Sequence, residues 1–555
     1  MDEGILRQYH GIPMIQRDAN VLEELETFIG EPVHKVDEIE FETFGYKIEG
    51  EKVTGLGLTS KNLDSLPEIV GNLLALKTLY IRDNQLTSLP ETIGNLTNLT
   101  VLQLRNNQLT SLPETISNLQ NLTLLNISKN PITSLPESIK HLTNLKVLAL
   151  NFTPLTSLPD WIGDLTNLRQ LWVEFGRLQS LPDTIGNLVN LEELFLEVAK
   201  VTSLPDSIGN LTKLKGIQCD DNQLTSLPDS IGNLINLDYL TVRNNQLTSL
   251  PESISNLKKL RSLRLTSNQL ISLPESLGEL KSLKQLLLES NQLSSLPDSI
   301  GNLENLEFLC LENNSLTSLP ESVSNLSNLN VLKLRNNSLT SLPESIGNLK
   351  NLQEFSLENN RLVSLPKTIG NLFNLQEFYL QDNQLNSLPE AIGLLKNLQI
   401  LDISFQNNQL KALPESIGDL KNLIDLKMIN CLQLRSVLPD SLANLTNLQE
   451  LWLAYNEIDS IPENIGNLRN LQKLMLRGTW ISSLPNSVGN LFNLTHLDLK
   501  KSYLADLSTL PQSIADLPNL KHLWIKRSFW VTLQKEDEQQ SLFQRLKERG
   551  CIIYR

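Results

Sequence analysis

A segment of the form SLPESIGNLKNLxxLxLxxNxL recurs along almost the whole chain. Its proline returns every 23 residues from Pro67 to Pro389, and five further copies follow at spacings of 23 to 26 residues, ending at Pro511. A fixed period of 20–30 residues indicates one supersecondary unit that is stacked many times. Because such units bury their apolar side only against their neighbours, we expect a continuous array of coils without a central pocket.

Each period predicts one short strand, one corner and one helical return. In residues 78–82 the apolar Leu79 and Ile81 alternate with polar neighbours, which is the pattern of a strand with one buried face. Asn84 stands where the chain leaves the strand, and an asparagine there can bond backbone groups that a buried turn would otherwise leave unpaired. The rest of the coil is expected to return on the far side as a short helical turn.

The return of each coil carries most of the acidic residues. In 17 of the 20 copies the proline is followed by Asp or Glu, as in Pro90-Glu91. Proline suits the first turn of a helix, and an acid there faces the positive end of the helix dipole. We therefore predict a helix that Ser88 caps at its start, with Glu91 at the capping-box spacing, and that Gly94 lets stop early.

The motif LxxLxLxxNxLxxLPxxIGNLxNL resembles the leucine-rich repeat, in the 23-residue version that is similar to Ras-scaffold and plant disease-resistance-like repeat proteins. The resemblance covers about residues 53–528. It implies an α/β fold, a right-handed leucine-rich-repeat solenoid curved like a horseshoe. A parallel β-sheet of about 21 strands would line the concave face, with short helical turns on the convex face.

The two ends of the chain depart from the repeat, as a solenoid requires because its terminal coils would expose their core. Residues 1–52 are predicted to form an N-terminal cap of a helix and a β-hairpin, followed by repeats over 53–528. Residues 529–555 are predicted to form a C-terminal cap of a helix, which spans 536–548, and a closing strand.

The cysteine spacing and the lack of long apolar runs bear on the cellular compartment. Cys219, Cys310, Cys431 and Cys551 lie in different parts of the repeat array, without the short spacing of a disulfide framework or a zinc motif. No apolar run approaches 20 residues, and the N-terminus has no stretch of signal-peptide type. We therefore expect a cytoplasmic, monomeric protein without membrane insertion.

The sequence gives little support for an enzyme. It has no phosphate-binding loop, HExxH, CxxC or GxSxG motif, so no catalytic residue, cofactor or metal is predicted. The best ligand group for a metal is His496, Asp498 and His522, where the two histidines occupy equivalent outward positions on adjacent strands. A plain polar contact surface explains the same residues better, and Cys551 is expected to be buried and inert.

Two sets of outward strand residues break the regular pattern. The first coincides with loss of the corner asparagine, which is replaced by Thr153, Gly176 and Ala199 in three successive coils. Clustered exposed aromatic residues are typical of interface centres, although these could instead pack on one another to fill a distorted strand end. This first aromatic patch comprises Phe152, Trp172, Glu174, Phe175, Glu193, Phe195 and Glu197.

The second set lies in the last coils, where the charge reverses. Residues 469–555 carry a net charge of +6, against −15 for the whole chain. Basic and aromatic residues together suggest an anionic surface on a protein partner, since the long acidic remainder would repel nucleic acid. This second aromatic patch comprises Trp452, Tyr455, Met475, Arg477, His496, Lys500, Lys501, His522, Trp524, Lys526 and Arg527.

These features predict a non-enzymatic scaffold for signal transduction that binds a protein partner on its concave face. The family resemblance implies a signalling GTPase or a kinase as the partner, although no residue identifies one. An innate-sensor or effector-type module that recognises foreign protein or glycan is the alternative.

Overall fold

The computed structural model describes residues 5–405, 407–431, 438–504, 510–525 and 537–554. The chain divides into two compact units, Met1–Gln269 and Leu270–Arg555. Each unit is an array of stacked coils with one strand per coil, so each is described by itself.

The first unit opens with elements that are not repeats. Antiparallel strands β1 (Leu6–Tyr9) and β2 (Ile12–Ile15) precede helix α1 (Gln16–Ile29), and β3 (Phe44–Glu49) pairs antiparallel with β4 (Lys52–Leu58). Asp18 of α1 is buried, and its Oδ2 atom accepts a hydrogen bond from Val53 N at 2.9 Å. This bond connects the helix to the first coil.

The repeat strands of the first unit are parallel and in register, from β4 to the last one. Leu79, Leu102 and Leu125 are aligned partners on three successive strands. Their bounds are β5 (Thr78–Tyr80), β6 (Val101–Gln103), β7 (Leu124–Asn126), β8 (Val147–Ala149), β9 (Gln170–Trp172), β10 (Glu193–Phe195), β11 (Gly216–Gln218), β12 (Tyr239–Thr241) and β13 (Ser262–Arg264).

The second unit repeats this arrangement and ends in α2 (Asp537–Glu548) and a closing parallel strand. Its strands are β14 (Gln285–Leu287), β15 (Phe308–Cys310), β16 (Val331–Lys333), β17 (Glu354–Ser356), β18 (Glu377–Tyr379), β19 (Ile400–Asp402), β20 (Asp425–Lys427), β21 (Glu450–Trp452), β22 (Lys473–Met475), β23 (His496–Asp498), β24 (His522–Trp524) and β25 (Ile552–Tyr554).

Each coil returns through a short 3₁₀ helix on the side opposite the strand. In the first unit these span Glu68–Asn72, Glu91–Asn95, Glu114–Asn118, Glu137–His141, Asp160–Asp164, Asp183–Asn187, Asp206–Asn210, Asp229–Asn233 and Glu252–Asn256. In the second unit they span Glu275–Glu279, Asp298–Asn302, Glu321–Asn325, Glu344–Asn348, Lys367–Asn371, Glu390–Leu394, Glu415–Asp419, Asp440–Asn444, Ile465–Asn467, Asn486–Asn490 and Gln512–Asp516.

The start of these helices differs from the sequence prediction. Pro90 is the residue before the helix and no side chain caps it, so the predicted cap by Ser88 is wrong, while Glu91 does lie in the first turn. Gly94 lies inside the helix and does not end it. A Cβ atom at Gly94 would lie 2.6 Å from the carbonyl oxygen of Thr115, so glycine permits the coils to approach closely.

The core of each coil is aliphatic, as the leucine spacing predicts. Leu76, Leu79, Ile81 and Leu86 are fully buried, and equivalent positions in the other described coils are buried in the same way. The predicted leucine-rich repeat solenoid is therefore confirmed, with 21 repeat strands from β4 to β24 among the described residues. The assignment of 1–52 and 529–555 as end caps stays a prediction.

The corner asparagines form a buried ladder along each unit. Asn107 Oδ1 accepts a hydrogen bond from Leu86 N at 3.0 Å, and Asn107 Nδ2 donates to Ile81 O at 2.8 Å and Leu104 O at 3.0 Å. One side chain thus satisfies backbone groups of two coils, each bond contributing about 0.5–1.5 kcal/mol. The residue just before the ladder position takes the left-handed conformation, as Asn106 does with φ 59°.

Candidate functional site

The first aromatic patch centres on three apolar side chains in successive coils. Phe152 is 43% exposed, Phe175 is 44% exposed and Val198 is 36% exposed. The two phenylalanine rings stack with centroids 4.4 Å apart and planes 5° from parallel. These residues form a continuous apolar surface at the end of strands β8, β9 and β10.

The backbone under these side chains is in an unfavourable conformation. Phe152, Phe175 and Val198 have φ values of 57°, 54° and 54°, because each occupies the position before the ladder. A left-handed residue costs roughly 1–2 kcal/mol unless it is Gly, Asn or Asp, and the cost is highest for β-branched residues such as valine. Regular coils use short polar residues here, such as Asn106 and Asp221. An apolar residue at this position in each of three successive coils therefore lowers the stability of the fold.

Trp172 and Phe195 lie on the exposed face of β9 and β10 as aligned partners. Their rings stack with centroids 3.9 Å apart and planes 22° from parallel. Phe195 is nevertheless only 8% exposed. Its side chain is on the outer face, but the stacked neighbour covers it. Trp172 is half-buried and remains accessible.

The three glutamates of the first aromatic patch are half-buried. Burial, and secondarily the charge of Glu197, raises the pKa of Glu174, whose Oε2 atom accepts a hydrogen bond from Asn151 Nδ2 at 2.7 Å. Burial, and secondarily Asp220, raises the pKa of Glu197. Glu193 accepts a hydrogen bond from the hydroxyl group of Tyr239.

The ladder is incomplete under this patch. Thr153 Oγ1 keeps one of the bonds by donating to Leu150 O at 2.6 Å, whereas Gly176 and Ala199 have no side-chain group to offer. The lost ladder residues thus lie in the same three coils as the aromatic residues, as the sequence indicated, and the structure adds that Phe152, Phe175 and Val198 are left-handed there.

The second aromatic patch has a stacked row across β23, β24 and β25. His496 and His522 are aligned partners with ring centroids 4.6 Å apart, as predicted. Trp524 stacks on Tyr554 at 4.7 Å, and Tyr554 Oη lies 3.0 Å from His522 Nδ1. Burial, and secondarily His522 and Lys473, lowers the pKa of His496.

Further residues of this patch lie one or two coils before β23. Trp452 is aligned with Met475 across β21 and β22, and Trp452 Nε1 donates to Glu450 Oε2 at 2.9 Å. Tyr455 is 41% exposed and left-handed with φ 60°, with the Arg477 guanidinium 5.9 Å from its ring centroid.

The two lysines of this patch that follow β23 differ in exposure. Lys500 is half-buried, and Lys501 is exposed and left-handed with φ 63°. Lys526 and Arg527 lie outside the described residues.

Two groups of side chains among the described residues bear on metal binding. Each histidine of the row has its Nδ1 atom beside a hydroxyl group, with His496 Nδ1 2.7 Å from Thr495 Oγ1. Donor atoms of Glu289, Cys310 and Glu312 lie within 4.8 Å of one another. Burial, and secondarily Glu312, raises the pKa of the Cys310 thiol to about 12, which opposes the thiolate form that a metal prefers. The prediction that no metal binds stays a prediction.

Sequence reasoning missed three residues of these surfaces. Val198 continues the row of Phe152 and Phe175, and its register, 23 residues after Phe175, could have revealed it. Tyr554 joins the second aromatic patch because β25 extends the sheet. Tyr239 contacts Glu193 of the first aromatic patch across Gly216, and the repeat pattern does not predict this contact.

Comparison with known proteins supports the fold assignment. The family model described as "Leucine-rich repeat region" and a second, "Leucine Rich Repeat", match most of the chain. The former matches 93–177, 204–292, 229–333, 277–366, 364–456 and 451–547, and the latter matches 75–96. No curated protein matches the chain.

Several solved structures are similar to it. A leucine-rich repeat protein of Leptospira interrogans is 33% identical, with 74% of this chain and 96% of that chain covered and a TM-score of 0.60. The plant peptide hormone receptor RGFR1 in complex with RGF2 is 29% identical, with 85% of each chain covered and a TM-score of 0.65. The Arabidopsis receptor kinase HAESA, in complex with the peptide hormone IDA and the co-receptor SERK1, is 27% identical, with 87% and 88% covered and a TM-score of 0.56.

Stacked coils, a parallel sheet with an exposed face and a buried asparagine ladder define a repeat solenoid, a class of fold that generally serves as a binding scaffold. The chain belongs to the leucine-rich repeat family. The narrower resemblance to Ras-scaffold or disease-resistance proteins stays a prediction. Among the described residues, no helix has the length and apolar character needed to cross a membrane.

Proposed function

We propose that this protein is a non-enzymatic scaffold that binds a protein partner on the exposed face of its sheet, at the first aromatic patch. The observation that carries the proposal is the row of Phe152, Phe175 and Val198, which are exposed and left-handed. Strained residues that weaken a fold and present apolar surface are typical of binding sites. A purely structural role would be served better by asparagine.

The similar structures agree with a protein or peptide ligand. Two of the plant receptors described above are complexes with peptide hormones. The second aromatic patch is a further candidate surface, because Tyr455 repeats the exposed, left-handed aromatic residue. A signalling GTPase or kinase remains the partner that the family resemblance implies, and recognition of foreign protein or glycan remains the alternative.

The test uses substitutions that restore the regular residue of the repeat. Phe152→Asn with Phe175→Asn removes the apolar row while asparagine favours the left-handed backbone. Ser290→Asn changes an equivalent left-handed position in the second unit and serves as the matched control. Proteins cross-linked to the parent in its native cell should be lost with the double variant and kept with the control.

The same experiment examines the second aromatic patch. Tyr455→Asn with Lys501→Asn alters two left-handed positions of that patch. If the partner is lost only with this pair, the binding site lies in the second unit and our choice of patch is wrong. If both double variants keep every partner, the scaffold proposal itself fails.

We also propose a cytoplasmic location and a monomeric state. All four cysteines are free and buried, as suits a reducing compartment. Fractionation of the native cell, together with light scattering of the purified protein, checks both points. Recovery in a secreted or membrane fraction, or a stable dimer, would contradict them.

A further inference from the structure

A row of carboxylates runs beside the apolar row of the first aromatic patch. Phe152 N donates to Glu174 O at 2.7 Å, and Phe175 N donates to Glu197 O at 2.8 Å. Because each apolar residue is bonded to the acid of the next coil, the apolar row and the acidic row advance together. Successive members of each row are about 4.8 Å apart, the spacing of neighbouring strands.

The acidic row continues with Asp220, which has its own cation. Asp220 Oδ2 accepts hydrogen bonds from the Arg243 guanidinium at 2.7 Å, and Val198 N donates to Asp220 O at 3.0 Å. Arg243 is therefore already engaged by a carboxylate at the end of the row. The charge of Arg243 also lowers the pKa of Glu197, but its guanidinium group is already bonded to Asp220.

The two remaining carboxylates have no cation of their own. The side chain of Glu174 is bonded to the neutral amide of Asn151, and the side chain of Glu197 has no hydrogen-bond or ion-pair partner within the described ranges. Burial raises the pKa of both, and each lies among other acids. Half-buried carboxylates beside an exposed apolar surface are stabilised by a cation that arrives with apolar neighbours.

Lys129, which lies beside this patch, is not placed to pair with these two carboxylates. Lys129 Nζ lies 5.2 Å from the ring centroid of Phe152, where it makes a cation–π contact at the other end of the apolar row. The surface thus offers an apolar strip with a cation at one end and two uncompensated carboxylates along its side.

We infer that the first aromatic patch binds a protein segment in which an apolar or aromatic side chain stands next to Arg or Lys. The apolar side chain packs on Phe152 and Phe175, and the cation pairs with Glu174 and Glu197. This inference rests on the proposed function, whose partner it specifies by chemistry. A guanidinium group suits two adjacent carboxylates because its planar fork donates several hydrogen bonds.

The second unit contains a natural comparison for this surface. Glu358 stands at the position equivalent to Glu174, but the next residue is Asn359 instead of an apolar side chain, with a φ of 53°. Glu358 is therefore a single acid at the equivalent position without an apolar residue beside it, and the matching residues of the adjacent coils are Arg335 and Gln381. Glu358→Gln is the matched control for substitutions in the acidic row.

The experiment measures binding of short fluorescein-labelled peptides to the full chain. The probe carries Arg-Phe pairs separated by Gly-Ser spacers, and companion peptides replace Arg with Glu or with citrulline, or Phe with Ser. We expect the Arg-Phe peptide to bind saturably. Each companion should bind about tenfold or more weakly, since loss of a charged or aromatic anchor typically exceeds 1.4 kcal/mol.

Protein variants assign the effect to the two rows. Glu174→Gln with Glu197→Gln should weaken the Arg-Phe peptide about tenfold and leave the citrulline peptide unchanged, whereas Glu358→Gln should change neither. Equal binding of the Arg and Glu peptides to the parent would overturn the inference. So would retention of full affinity by the double glutamine variant.

The outcome can be separated from that of the proposed function. If the native partner is lost with Phe152→Asn and Phe175→Asn but kept by the glutamine variant, the scaffold stands and the basic partner segment is wrong. If the asparagine variant keeps every native partner, binding at the first aromatic patch fails regardless of the peptide result, and the scaffold itself fails if the variant with Tyr455→Asn and Lys501→Asn also keeps every partner.

Discussion

The hydroxyl group of Tyr239 on β12 donates a hydrogen bond to Glu193 on β10, across the intervening strand β11. The bond is possible because the residue between them is Gly216, where a Cβ atom would overlap the Tyr239 ring and the Glu193 carboxylate. Burial, and secondarily this bond, raises the pKa of Tyr239. The absence of a side chain at Gly216 thus allows Glu193, at the edge of the first aromatic patch, to bond with a residue two coils away.

Substitution of this glycine should displace the tyrosine. We expect Gly216→Ala to lower the free energy of unfolding by about 0.5–1.5 kcal/mol, the net contribution of one hydrogen bond. Chemical denaturation measures the change. In a Tyr239→Ser background the same substitution should cost less, because only the flexible Glu193 carboxylate then has to move. Equal losses in both backgrounds would show that the ring is not the cause.

The ladder predicts a contrast between two adjacent asparagines. Asn245 Oδ1 accepts from Leu224 N at 2.9 Å, and Asn245 Nδ2 donates to Cys219 O at 2.9 Å, so Asn245→Ala leaves buried backbone groups unpaired. We expect a loss of at least ~2 kcal/mol in the free energy of unfolding. Asn244→Ser, at the exposed left-handed position, should stay within about 0.5 kcal/mol. Similar losses for the two variants would contradict the ladder argument.

Restoring the ladder under the first aromatic patch should stabilise the fold. Leu155 N has no hydrogen-bond acceptor within the described part of the chain, and an asparagine at position 176 would stand 21 residues after it, the spacing of the ladder bonds. A Cβ atom at Gly176 meets its nearest neighbour, Thr153 O, at 3.5 Å, so there is space. We expect Gly176→Asn to gain about 1 kcal/mol, beyond the gain from Gly176→Ala, in thermal or chemical unfolding. An equal gain from alanine would assign the effect to the unfolded chain.

The thiols should be unreactive in the folded protein. All four are buried, and burial raises the pKa to about 12 for Cys431 and to about 11 for Cys551. A thiol reagent at neutral pH should therefore react slowly until denaturant is added, and then modify all four, because the thiolate is the nucleophile. Cys551 should react first in the native state. Rapid native modification of Cys219, which is 1% exposed, would contradict the fold of its coil.

Acid should weaken the last coils through His496. Its pKa is lowered in the folded protein, whereas an unfolded histidine takes up a proton near pH 6.5. The unfolded state therefore binds more protons as the pH falls through that value, and stability declines until the folded pKa is reached. Thermal melts of the parent and of His496→Gln at pH 7.5 and 5.5 test this. The variant should lose less stability on acidification, and an equal loss would assign the effect to other groups.

Several features could be read from the sequence because they follow from local chemistry repeated many times. The leucine spacing fixed which side chains of a coil are buried, as Leu79 and Ile81 illustrate, and the corner asparagine predicted the ladder. The helix start was read less well. The capping-box pattern around Ser88 and Glu91 is shared with longer helices. Here Pro90 is extended, so the helix begins at Glu91, two residues later than a helix capped by Ser88, and no side chain caps it.

The candidate surfaces were only partly predictable. The residue types of the first aromatic patch were evident, but the burial of Phe195 depends on the ring of Trp172, which lies 23 residues earlier in the chain. The left-handed conformation of Phe152 could not be predicted from the alternation of outward residues either, because it follows from the backbone path at the end of the strand.

The sequence by itself determined the repeat, its strand and turn, its aliphatic core and the coils in which the pattern fails. These are set by side-chain chemistry at a fixed period, which needs no knowledge of neighbours. The tertiary structure decided which side chains at the irregular coils remain accessible and which acids lack a cation. Those properties arise from contacts one or two coils away, as between Tyr239 and Glu193, and stacking in register is what brings such residues together.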